Sequence, residues 1–142
     1  MRKKVEDYAA GKIPPPPVAT ALGITLVRAG GGTAEFRYVA DGRHANPMGT
    51  LHGGILCDLS DAAMGIALAS TLEEGESFAT LELKINFLRP VWNARLTATG
   101  RIVSRGRTVA MTSSDIVDDE GRHIAAVTAT QMIVSGEKAK GR

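Results

Sequence analysis

Residues 53–72 read GGILCDLSDAAMGIALASTL, and this stretch decides the fold. Apolar side chains fall all round a helical projection of it, the pattern of a helix buried on most of its faces. Asp58, Ser60 and Asp61 interrupt it too often for a membrane span, which needs about 18 or more apolar residues. Glu73-Glu74-Gly75 ends it. On either side the period changes from helical to alternating. Upstream, Ile24–Arg28 and Thr33–Ala40 alternate around Gly30-Gly31-Gly32, which predicts a β-hairpin. Between that hairpin and the helix, Asp41–Leu51 carries Gly42, Asn46, Pro47 and Gly49, the residues of an irregular loop.

Downstream, Thr80–Leu88 alternates, with Leu81, Leu83, Ile85 and Phe87 on one face and Thr80, Glu82, Lys84 and Asn86 on the other. Leu96–Ser104 and Thr108–Val117 flank a turn at Arg105-Gly106-Arg107. His123–Val134 follows the turn Asp118-Asp119-Glu120-Gly121. The predicted order is ββαββββ, an α+β chain in which an antiparallel sheet wraps one long helix, because both are apolar where they face each other.

The 142 residues make one domain, with 17 basic against 15 acidic side chains for a net charge of +2, a balance that excludes a dedicated nucleic-acid binder. A single cysteine, Cys57, excludes an internal disulfide framework and a multi-cysteine zinc site. One Trp, two Tyr and three Phe leave the core to aliphatic residues and Ala, with little chain to spare for enclosing a pocket. Residues 1–17 read as an N-terminal arm, stiffened by Pro14-Pro15-Pro16-Pro17, with a helical turn around Val5–Ala10 and the role of a tether or packing strap. Residues 18–135 form the domain, and 136–142 a charged, disordered tail. After Met1-Arg2-Lys3-Lys4 the acidic Glu6 and Asp7 stand where a secretory leader needs an apolar run, so the expected location is cytoplasmic, with no membrane and no nucleic-acid partner.

The chemistry-bearing residues gather at the helix and its entry loop. Gly53 and Gly54 leave the first helical N–H groups open to approach by an anion, or by a carbonyl oxygen about to become one; the same pair equally serves a tight turn. His52 borders those donors. Asn46, in the same loop, suits either orienting a carbonyl or water or forming an Asx turn. Asp61 lies mid-helix among apolar neighbours, where an isolated carboxylate is costly, and is read as functional; Asp58, one turn back, is read as a wetted edge. His52 and Asp61 are nine positions apart, about 13–14 Å of helical rise and half a turn of rotation, so they do not meet within one chain. A two-fold dimer brings His52 of one chain to Asp61 of the other. Cys57 shares a face with Asp61, but without a histidine beside it reads as a small hydrophobe. Arg89 and the turn of Arg105 and Arg107 are suited to phosphates or are simply solvated.

The motif Asn46-Pro47-Met48-Gly49-Thr50-Leu51-His52-Gly53-Gly54, followed by Asp61, Ile85-Asn86-Phe87-Leu88-Arg89-Pro90 and Arg105-Gly106-Arg107-Thr108, resembles the hotdog-fold acyl-CoA thioesterases of the PaaI (phenylacetic acid degradation) type, relatives of the 4-hydroxybenzoyl-CoA thioesterases. The resemblance runs from Leu22 to Val134. It implies a hotdog fold, a helix wrapped by a curved sheet, paired into a homodimer with active sites at the interface and commonly doubled to a tetramer. It also implies hydrolysis of an aryl- or medium-chain acyl-CoA to a carboxylic acid and CoA, with coenzyme A entering as part of the substrate and no other cofactor or metal. Within it, the Gly54 N–H polarises the thioester carbonyl, and His52 and Asn46 place the thioester and water. Asp61 of the partner chain acts as base or nucleophile. Gly53 and Thr80 fall in the substrate and water site, and Arg89, Arg105 and Arg107 in regions used for the CoA phosphates. The alternatives on the same fold are a non-catalytic acyl-CoA binding module and an enoyl or hydroxyacyl thioester hydratase-dehydratase.

Overall fold

The structure is a computed structural model, and it describes residues 1–139. Two short helices, α1 (Arg2–Ala9) and α2 (Pro17–Leu22), lead into the hairpin β1 (Thr25–Gly30) and β2 (Thr33–Asp41). The long helix α3 (Gly53–Ala69) follows, and then β3 (Glu76–Phe87), β4 (Asn93–Arg105), β5 (Val109–Asp118) and β6 (His123–Ser135). The strands form one six-stranded sheet in the order β1-β2-β4-β5-β6-β3, every neighbouring pair antiparallel. This is the hotdog arrangement implied by the family resemblance: a single long helix packed on the inner face of a curved antiparallel sheet.

Alternation in β2 sends Ala34, Phe36, Tyr38 and Ala40 inward, each at most 3% exposed, against the face of α3 that carries Leu59, Ala63 and Ala67. Full burial of side chains such as Leu59, Met64 and Leu68 contributes about 1.5–3 kcal/mol each. Helix α3 and strand β4 come close at Gly100, where an added Cβ would stand only 2.3 Å from the carbonyl carbon of Ala63. Only glycine lets the helix backbone come so near the sheet. The helix is shorter than its hydrophobicity suggests, ending at Ala69 although Leu72 is fully buried. Ser70 closes it: its Oγ donates to the Ala67 carbonyl at 2.7 Å and accepts the Gly32 N–H at 3.0 Å, tying the helix end to the β1–β2 turn.

Strand β3 starts four residues earlier than the alternation indicates and carries a β-bulge. The β3–β6 register shifts between Thr80 and Glu82, leaving Leu81 without a partner and 57% exposed. An extra residue reverses the in–out order beyond it. Phe78 and Thr80 therefore face α3 on one side of the bulge, and Leu83 and Ile85 face it on the other. The expectation that Thr80 lies on the face opposite Leu83 is corrected by this bulge.

The helical turn expected around Val5–Ala10 is the two-turn α1, whose Val5 is 3% exposed. Pro17 occupies the first turn of α2, where its missing N–H costs nothing. Gly136–Ala139 is a 3₁₀ turn packed beside β3 and β6, against the expectation of a disordered tail; the rest of that tail, 140–142, lies outside the described residues.

Candidate active site

The entry loop is organised by Asn46. Its Oδ1 accepts the N–H groups of Met48 (2.9 Å) and Thr50 (3.2 Å), and its Nδ2 donates to Thr50 Oγ1 at 2.8 Å. Most of its hydrogen-bonding capacity is therefore used in building the turn, and one Nδ2 hydrogen is left over. The His52 N–H donates to the His44 carbonyl at 2.9 Å, and the His44 Nδ1 shares a 2.7 Å hydrogen bond with the hydroxyl of the buried Tyr38. Thus β2 fixes the backbone of His52, a support that no sequence motif announced.

His52 is the N-cap of α3: its Nδ1 accepts the Gly54 N–H at 2.9 Å. A nitrogen that accepts carries no proton, so the neutral ring keeps its hydrogen on Nε2, available as a donor. The two glycines are both covered. A Cβ on Gly54 would lie 2.9 Å from His52 Nδ1, and one on Gly53 would lie 2.8 Å from Phe87 Cζ. These positions are glycine because an imidazole and a phenyl ring rest directly on the helix start. Of the two N–H groups, Gly54 is engaged by His52 and Gly53 has no partner among the described residues.

Asp61 accepts a hydrogen bond from Thr80 Oγ1 at 2.9 Å, the contact that the bulge at Leu81 makes possible. It borders an apolar cleft of about 290 Å³ together with Asp58, Ala62, Gly65, Ile66 and Phe78. Burial raises the Asp58 carboxyl above its ordinary range, and the charge of Asp61 adds to the effect. Burial likewise pushes the Cys57 thiol up, with Asp58 contributing, so Cys57 is poorly suited to serve as a thiolate nucleophile. Across the β3–β6 ladder from Thr80 stands Gln131, fully buried, with Oε1 accepting from Thr112 at 3.4 Å and Nε2 unpartnered. A glutamine inside an apolar strand was another group that the sequence reading passed over.

The expected site residues fall into three places. Asn46, Gly53 and Arg89 line one cleft of about 400 Å³, beside His52 and Gly54. Asp61 lines the other cleft, about 13–14 Å along the helix, with Thr80 hydrogen-bonded to it. Arg105 ends β4, whose thirteen residues span about 40 Å, and Arg107 lies in the turn just past it. Arg105 is engaged by Glu76 at 3.0 Å, whereas Arg89 and Arg107 have no ion-pair partner among the described residues. One chain therefore separates the helix-start donors from the helix carboxylate, and no group of metal-ligating side chains occurs among the described residues.

The model of the thioesterase superfamily matches residues 48–125, which hold both halves of this constellation. The chain belongs to the thioesterase superfamily. It is 30% identical over 135 residues to the medium/long-chain acyl-CoA thioesterase YigI of Escherichia coli, covering 82% of this chain and 85% of that one. It is 31% identical over 108 residues to human acyl-coenzyme A thioesterase 13, covering 70% and 76% of the two chains. Among solved structures it is similar to a thioesterase family protein of Silicibacter pomeroyi, with a TM-score of 0.82 at 32% identity over 94% of this chain and 98% of that one. It is also similar to the Escherichia coli PaaI protein of the phenylacetic acid degradation operon, with a TM-score of 0.83 at 25% identity over 95% and 96%. No described helix is long and apolar enough to cross a membrane.

Proposed function

We propose that this chain hydrolyses an aryl- or medium-chain acyl-CoA to the carboxylic acid and CoA, at sites that two copies build together. The observation that carries this reading is the division of one helix: His52 and the open Gly53 N–H at its start, Asp61 held by Thr80 two and a half turns on. The thioesterase relatives support the reaction, and the long edge strand β3, with Leu81 and Phe87 more than half exposed, offers a surface for a second copy.

In the composite site the thioester carbonyl lies against the helix start of one chain. The Gly53 N–H and His52 Nε2–H donate to the oxygen as negative charge develops on it, and a turn of the His52 ring frees the Gly54 N–H to join them. Asp61 of the partner either takes a proton from the attacking water or attacks the carbonyl carbon itself. In the first route the tetrahedral intermediate collapses with departure of the CoA thiolate. In the second an acyl-aspartyl anhydride forms and water then cleaves it. Thr80 holds Asp61 in one rotamer, and Asn46 keeps the loop that carries His52 in place. Arg89, which lines the same cleft as Asn46, and Arg107 have no ion-pair partner among the described residues and can meet CoA phosphates. The cytoplasm, where acyl-CoA is made and used, is the fitting location.

Thiol release from a panel of acyl-CoAs tests the reading. Wild type turns over, and Asp61→Asn loses about 100-fold or more in kcat while its mass in solution still matches wild type. Unchanged kcat in that variant overturns it. A single turnover in ¹⁸O-water bears on the route: label in the Asp61 carboxylate, with the product acid unlabelled, shows an anhydride cleaved by water at the aspartyl carbonyl, a result that the general-base route does not give.

A further inference from the structure

We infer that Tyr8, on the N-terminal arm, is the residue that sets the length of acyl group accepted. The inference rests on the reading of Asp61 as the group that acts on the thioester. The cleft beside Asp61 is walled on one side by the outer face of α3 and on the other by Tyr8 of the arm together with Val18 and Leu22 of α2. Apart from Asp58 beside Asp61, its remaining lining is apolar: Phe36 at depth, Gly65 as floor and the Phe78 ring laid on that floor, 3.0 Å from where a Gly65 Cβ would stand. An apolar recess opening at a reacting carboxylate is where the acyl part of a thioester goes, because its burial removes hydrocarbon from water while the carbonyl stays at the mouth. At about 290 Å³ it stands at the small end of ligand pockets, suited to one aryl ring or a medium-length chain.

Tyr8 is placed to end that recess. A second groove of about 340 Å³ runs on behind it, lined by Lys12, Ile13, Pro14, Pro15 and Leu26. Only Tyr8 and Ile24 border both spaces. Ile24 is 6% exposed and a member of the core, whereas Tyr8 is only partly buried at its edge, so Tyr8 is the partition that a substitution can open. Its half-buried phenol is shifted upward by that burial and stays neutral, compatible with an apolar chain end against it. The proline stretch then has a use: it holds α1 at a fixed distance from α2 and keeps the partition in register with Asp61.

The test compares wild type, Tyr8→Ala, Tyr8→Phe and Val18→Trp in the full chain. The readouts are kcat/KM for acetyl-, phenylacetyl-, octanoyl- and palmitoyl-CoA, and calorimetric affinity for CoA thioethers of the same chain lengths, which no thioesterase cleaves. Tyr8→Ala joins the two spaces, and its palmitoyl-to-octanoyl ratio rises at least about tenfold, in hydrolysis and in thioether affinity alike. Tyr8→Phe retains the wild-type ratio. Val18→Trp narrows the recess from the same side as Tyr8 and lowers the octanoyl-to-acetyl ratio by a similar factor. A Tyr8→Ala variant with equal losses on every chain length, or with no change in ratio, overturns the inference, as does an unchanged ratio in Val18→Trp if Tyr8→Ala fails to fold. Should the wild type cleave no thioester, the functional reading falls, and the thioether affinities still decide whether Tyr8 measures chain length.

Discussion

Two inactive variants of this protein should repair each other. In a site shared across a two-fold axis, His52→Ala damages the donor half and Asp61→Asn the carboxylate half. A heterodimer of the two variants then holds one site with both lesions and one site with neither. The magnitude follows from counting. Random exchange makes about half of all dimers heterodimers and leaves half of their sites intact, so the mixture recovers about a quarter of wild-type activity per chain. Heterodimers purified through two different affinity tags recover about half. The geometric basis is the nine-residue separation, about 13–14 Å of helical rise, against the roughly 6 Å that a hydrogen-bonded relay through one water can bridge. The assay is thiol release from octanoyl-CoA after co-expression, with the doubly substituted chain paired to wild type as the reciprocal control, since that heterodimer has one damaged half in each site. Heterodimers of the single variants no more active than their parents would refute the shared site and return the chemistry to one chain.

Further outcomes follow from particular contacts. Thr80→Val removes the hydroxyl that holds Asp61, and kcat should fall about tenfold with KM little changed, a split read directly from steady-state kinetics. Gly53→Ala drives a methyl into the Phe87 ring at the helix start, so turnover should fall sharply while the far-ultraviolet circular dichroism stays that of wild type. Gly100→Ala forces α3 off β4; overpacking of this kind costs about 1–3 kcal/mol or more, visible as a lower Tm or a failure to fold. Burial works to raise the carboxyl of Asp118, but the hydrogen bonds and charge of Arg122 outweigh it and leave its pKa below the ordinary value. A depressed carboxyl stabilises the fold above its unfolded pKa of about 3.9 and loses that contribution as pH falls through the folded value. Asp118→Asn should therefore lower Tm at pH 7, and the difference from wild type should close in strongly acid solution; a gap that persists there would contradict the assignment.

How much of this was legible in the sequence depended on whether a residue's meaning was local. The helix from Gly53 and the four strands beyond it follow from apolar period, and the structure has them within a few residues. The separation of His52 from Asp61 follows from helical rise alone. Other features depend on partners far along the chain. Glu76 lies 29 residues before Arg105, and nothing in the basic turn indicates that one of its guanidinium groups is already engaged. The covering of Gly53 by Phe87 is likewise a contact across the fold, so the two glycines looked open in sequence although each carries a ring. The arm reads as a tether or a packing strap because proline runs carry no hydrophobic period to choose between the two; that it packs emerges only once Val5 is seen to be buried. The bulge was invisible for a simpler reason: Leu81 is apolar and sits where alternation asks for an apolar residue.

That bulge acts on its strand as a single inserted letter acts on a reading frame. Everything upstream of Leu81 is spelled in one parity and everything downstream in the other, and the frame is restored only because the extra residue is there. For the in–out order of the strand the identity of its outward-facing side chain is immaterial; its presence in the count is what matters. Replacing Leu81 by another residue would leave the strand readable. Deleting it would turn Thr80 and Phe78 away from the helix while Leu83 and Ile85 stayed, leaving Asp61 without its hydroxyl although every residue that meets it was still encoded.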